Sequence, residues 1–88
     1  MENTFMDGFD IVYEACAYDF DKMVRGQANS SIEQFIRVIK LCNGLNVTKD
    51  DIQSVFDFIV HEGEYEGVNV ADEVKWNFYD ALDMSIIN

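Results

Sequence analysis

The sequence predicts an all-α fold: one domain over residues 1–88, built as a compact bundle of about four helices. Three observations carry the prediction. Apolar residues recur at three- and four-residue steps along four separate stretches. The 88 residues include no proline, which suits uninterrupted helices better than a many-turned all-β chain. Helix-start and helix-stop residues bracket the first three stretches, and an apolar content of 49% supplies a core.

The first helix is expected over residues 5–25. Phe5, Phe9, Val12, Cys16, Phe20 and Met23 share one face, and Gly26 supplies the stop. Asp7, with Asp10 three residues on, is an alternative N-cap. Asp7, Asp10, Glu14, Tyr18 and Asp21 gather on the opposite face at about 100° per residue.

The second helix is expected over residues 31–42, opened by a capping box Ser30-x-x-Glu33 and closed at Asn43-Gly44. Ile32, Phe35, Ile36, Val38, Ile39, Leu41 and Cys42 cover so much of the wheel that this helix should be largely buried, with the others packed around it.

Thr48 and Asp51 form a second capping box, opening a third helix over residues 49–61. Ile52, Val55, Phe56, Ile59 and Val60 face inward, and Asp50, Ser54, Asp57 and His61 face out. His61 to Gly67 (HEGEYEG) reads as a turn, with a short strand near residues 65–70 as an option. The fourth helix is expected over residues 70–86, with Val70, Val74, Phe78, Ala81 and Leu82 inside. Asp72, Trp76, Tyr79, Asp80 and Asp83 lie on or beside its outer face. Short connections imply that neighbouring helices pack roughly antiparallel as a compact bundle.

Charge is segregated along the chain. Residues 1–21 hold six acids and no Lys or Arg, residues 22–49 hold five bases against Glu33, and residues 50–88 hold ten acids against Lys75. The net charge of −11 opposes direct binding to nucleic acid or to an anionic membrane and favours a basic partner. No run approaches the ~18 apolar residues of a membrane span. The acidic N-terminal stretch has no signal-peptide pattern, so a cytoplasmic location is expected.

Motifs of chemistry are sparse. One histidine, His61, and no Ser or Cys with a base beside it in sequence point away from an enzyme, and no cofactor motif occurs. His61, Glu62, Glu64 and Glu66 offer metal-ligand types without zinc or EF-hand spacing, so a solvated turn is the better reading and no metal is expected. Cys16 and Cys42 fall on apolar faces, as reduced buried thiols do. The sequons at Asn29 and Asn46 read as helix-start residues.

The acid stripes are the functional signal. Asp7/Asp10, Asp10/Glu14 and Asp80/Asp83 are like-charge neighbours on a helix, each costing a few tenths of a kcal/mol. A solvated face that keeps a small protein soluble is the plain explanation. One-sided charge in two separate blocks points instead to imitation of a nucleic-acid backbone. A helix of ~17 residues spans about 25 Å, a length over which duplex DNA carries roughly 15 phosphate charges. Asp7, Asp10, Glu14, Asp21, Asp50, Asp57, Asp72, Asp80 and Asp83 would stand in for phosphates, with Tyr18, Trp76 and Tyr79 as aromatic anchors.

The segment Phe9-Asp10-x-x-Tyr13-Glu14 is similar to the opening helix of Ocr. With its small size and acidity, the chain resembles phage-encoded DNA mimics of the anti-restriction and anti-CRISPR classes. It departs from Ocr in ending on Ser85-Ile86-Ile87-Asn88 where Ocr carries a long acidic tail. The resemblance implies an inhibitor in the host cytoplasm that occupies the nucleic-acid-binding surface of a restriction, CRISPR or transcription component. The alternative is a small acidic module that grips a protein partner through aromatic and apolar contacts. Monomer and homodimer are both open at this stage.

Overall fold

The computed structural model describes residues 7–85 and contains four α-helices. They are α1 (Gly8–Val24), α2 (Ile32–Ile39), α3 (Lys49–Tyr65) and α4 (Asp72–Met84), with a 3-10 turn at Lys40–Cys42 extending α2. The all-α expectation holds. The strand considered near residues 65–70 does not form: Tyr65 is the last residue of α3, and residues 66–71 are turn and extended chain. Phe5 and Ile86, placed in the first and last helices by their spacing, lie outside the described residues.

Local chemistry fixes most of the ends. Asp7 caps α1 by accepting the Asp10 N–H at 3.0 Å, and Gly26 ends the helix at φ 77°. The α2 cap falls one residue later than expected, on Ser31, whose hydroxyl accepts the Gln34 N–H. The Thr48/Asp51 box at the start of α3 is reciprocal, with bonds of 3.2 and 2.9 Å. The start of α4 also falls later than expected, after an Ala71 cap that makes no side-chain bond.

Helix α3 runs a full turn past His61, through residues that read as a loop in sequence. Gly63, read as part of a turn in the sequence, is instead buried inside the helix, and a Cβ there would make ordinary contact, 3.4 Å from Val24 on α1 and 3.8 Å from Val68. The true stop is Gly67 at φ 94°, where the Val68 N–H reaches back to the Gly63 carbonyl at 2.9 Å.

The expectation of a largely buried second helix is corrected. Only Phe35 and Ile39 of α2 are buried; Ile32, Ile36 and Val38 are half-buried, and Leu41 in the following turn is 52% exposed. A helix on the outside of a small domain can close only one side against its neighbours, however apolar its whole circumference.

The centre belongs to four phenylalanines, one from each helix. Phe20, Phe35, Phe56 and Phe78 are each fully buried. Phe56 and Phe78 stack at 3.8 Å and 7° between planes, and Phe20 and Phe35 approach that stack at 5.5–5.7 Å. Three of those four approaches are edge-on at 85–89° and the fourth at 79°, the orientation the ring quadrupole favours.

Sequential helices run in opposite senses, as short connections imply. The closest backbone packing, however, joins α1 to α3 and α2 to α4. Both pairs are parallel, which corrects the antiparallel packing expected of neighbours: the chain steps across the bundle at each short connection, and alternate helices pack side by side. Gly8 lies near Asp51 and Val24 near Gly63 along α1 and α3, and Ser31 and Ile39 meet Asn77 and Met84 in the same order along α2 and α4. No helix among the described residues is long and apolar enough to cross a membrane.

Candidate functional site

The acids read from sequence divide by what surrounds them. Asp7, Asp10 and Glu14 on or beside α1, Asp50 and Asp57 on α3, and Asp72, Asp80 and Asp83 on α4 are all exposed. Three of the expected phosphate stand-ins have other work in the fold. Asp7 is the α1 cap. Asp57 accepts a 2.7 Å hydrogen bond from the Tyr79 phenol. Asp21 is half-buried and bonded at 2.8 Å to Arg25, whose other end reaches Glu66 at 2.7 Å.

Tyr79 is likewise corrected as an outward anchor. It is half-buried, packs at 6.1 Å from Phe56 and 5.3 Å from Phe78, and ties α4 to α3. Burial, and then the bond to Asp57, push its phenol up to about 12. Tyr18 (72%) and Trp76 (63%) are exposed as expected. Lys22 sits 5.1 Å above the Tyr18 ring, a cation–π contact within one helix.

Six of the nine expected stand-ins remain with no side-chain hydrogen bond or ion pair among the described residues: Asp10, Glu14, Asp50, Asp72, Asp80 and Asp83. Asp10, Asp50 and Asp72 stand in the first turns of their helices, where the macrodipole favours negative charge. Asp80 and Asp83 do not. They lie toward the C-terminal, negative end of α4, whose last turn holds no base. These two residues carry an electrostatic cost with no local return.

Helix α3 links the two acid blocks. Arg25 joins its C-terminal cap, Glu66, to α1, while the 3.1 Å Lys75–Glu64 pair and the Tyr79–Asp57 bond join it to α4. Between α1 and α3 runs an open groove of about 360 Å³. Tyr13 and Phe58 wall one part of it, Ala17 and Ile59 line the middle, and Tyr18, Asp21, Arg25, Glu62 and Glu66 line the rest. Phe9 completes an aromatic group with Tyr13 and Phe58, at centroid distances of 5.8–6.1 Å.

Sequence reasoning did not place this groove. Tyr18 and Asp21, read from the sequence as partner-contacting, do line it; Phe58 enters only through the register of α3 against α1. Cys16 and Cys42, distant in sequence, meet with sulfurs 3.4 Å apart, both fully buried as free thiols. No three His, Cys, Asp or Glu side chains cluster as a metal site among the described residues.

Comparison with protein-family models, with curated proteins and with solved structures finds no match for this chain.

Proposed function

We propose that this protein is an acidic DNA mimic that inhibits by occupying the nucleic-acid-binding surface of a basic protein. Restriction, CRISPR and transcription components are the candidate targets. The observation that carries the reading is Asp80 and Asp83: exposed, three residues apart, at the unfavourable end of α4 and without a basic partner among the described residues. Charge that local stability does not explain is charge retained for something outside the chain. Asp10, Glu14, Asp50 and Asp72 extend the same chemistry over two helices and the start of a third. Helices α1 and α3 are 17 residues each, about 25 Å of rigid scaffold. A prefolded array loses less entropy on binding than a flexible acidic tail would.

The test is competition. Binding to a host DNA-binding protein, recovered by pull-down at low salt, should be displaced by duplex DNA and weaken steeply as salt is raised. The combined variant Asp10→Asn, Glu14→Gln, Asp80→Asn, Asp83→Asn should lose inhibition. Unchanged inhibition at moderate salt would end the proposal.

A second reading rests on Trp76, a large side chain 63% exposed on α4. If the protein is instead an aromatic-gripping interaction module, Trp76→Ala abolishes binding and salt hardly matters.

A further inference from the structure

We infer that the groove between α1 and α3 receives an arginine-bearing segment of a basic partner protein. The inference rests on the partner being basic, and it adds where and by which side chain that partner is gripped.

The groove is apolar in the middle and charged at its edge. Tyr13 and Phe58 leave 42% and 41% of their surface in water. Ala17 keeps the groove open, because it has nothing beyond Cβ to place between the two helices. Such a face covers itself only with something that offers apolar surface and positive charge together.

The fold already shows how the groove treats a guanidinium. Arg25 spans Asp21 and Glu66 at 2.8 and 2.7 Å, joining one helix to the end of the other. This leaves Glu62 on the lining without a basic partner among the described residues. A second guanidinium would find aromatic faces at Tyr13 and Phe58 and the Glu62 carboxylate one helical turn along α3 from Phe58. Arginine suits this pairing better than lysine, since its flat cation stacks on a ring while its N–H fork engages carboxylates.

Other occupants fit less well. A second copy of this chain brings a net charge of −11 to an acid-edged groove, and an anionic lipid or nucleotide is repelled by the same carboxylates. Charge complementarity selects a basic protein segment.

The test uses the full chain and two synthetic probes of equal charge, a nona-arginine and a nona-lysine peptide, followed by NMR titration. Nona-arginine should bind about two- to fivefold more tightly than nona-lysine, the range expected of a partly solvated cation–π contact. It should shift the resonances of Tyr13, Ala17 and Phe58. Ala17→Leu fills the groove without changing charge and should bring both peptides to the same affinity, and Phe58→Ala should do so by removing a ring. Thermal melts establish that each variant is folded, and either variant suffices. Equal affinities in the wild type, or an arginine preference that survives both substitutions, would overturn the assignment. The DNA-mimic reading fails separately: loss of DNA competition with the groove-dependent arginine preference intact overturns that reading and keeps the groove.

Discussion

The phenol of Tyr79 on α4 donates a 2.7 Å hydrogen bond to Asp57 on α3. The helical wheel turns both residues toward solvent, and the bundle turns them toward each other. The bond has a pH signature. Burial first, and Asp57 second, raise the phenol from 10.0 to about 12, so the folded state holds this proton more tightly than the unfolded chain. Its contribution to stability is complete below pH 10 and is lost as the pH climbs toward 12. Urea midpoints measured across that window should fall more steeply for wild type than for Tyr79→Phe. Asp57→Asn should lower the Tyr79 pKa only part of the way, because burial is the larger cause.

Two glycines in one short segment should respond to alanine with opposite signs. Gly63 is helical, and an added Cβ makes ordinary contact at 3.4 Å with Val24. Gly63→Ala should therefore stabilise by about 0.5–1 kcal/mol through helix propensity. Gly67 holds φ 94° at the helix stop, and Gly67→Ala should destabilise by roughly 1–2 kcal/mol. Denaturant unfolding of the two variants decides both signs.

Phe78→Ala should cost about 3–5 kcal/mol, since the ring is fully buried and touches the other three core phenylalanines. In a domain of this size that is a large part of a total of roughly 5–15 kcal/mol. Far-ultraviolet circular dichroism should show a melting transition shifted well down or lost. Phe58→Ala removes a ring that is 41% exposed but packed on Phe9 and Tyr13, and should lower the melting temperature by less than Phe78→Ala does.

Cys16 and Cys42 should resist thiol reagents in the native state. Both are fully buried, which shields them from reagents. The bond to Cys42 together with burial pushes the Cys16 thiol up and suppresses its thiolate. The same bond lowers Cys42, whose resistance therefore rests on burial. Modification should occur at the rate of opening and become immediate in denaturant. Fast labelling of either thiol without denaturant would contradict this packing.

Asp80→Asn with Asp83→Asn should raise the melting temperature while weakening partner binding. The substitutions relieve a like-charge i,i+3 pair and an unfavourable charge–dipole contact, each worth about a few tenths of a kcal/mol. Stability gained as function is lost is the expected signature of residues kept for binding. A fall in melting temperature would assign the two aspartates a structural role instead.

The sequence by itself determined that four segments are helical and which acids at the ends of α1 and α4 are exposed. Apolar spacing marked Val12, Cys16, Phe20 and Met23, and the Thr48/Asp51 box opened α3 where the residues said it would. Exposure of Asp10, Glu14, Asp80 and Asp83 follows from the same wheel, because helical periodicity is a local property of the chain. Tertiary structure decided how the helices meet. Pairing α1 with α3, and α2 with α4, depends on side chains from separate segments interlocking, and no single helix encodes that register. From it come the four-phenylalanine centre, the half-exposed α2 and the extension of α3 through Gly63. The Tyr79–Asp57 bond and the groove beside Ala17 come from it as well. Helix type is settled within a few turns of chain; which carboxylates are left free to meet a partner is settled only when all four helices pack.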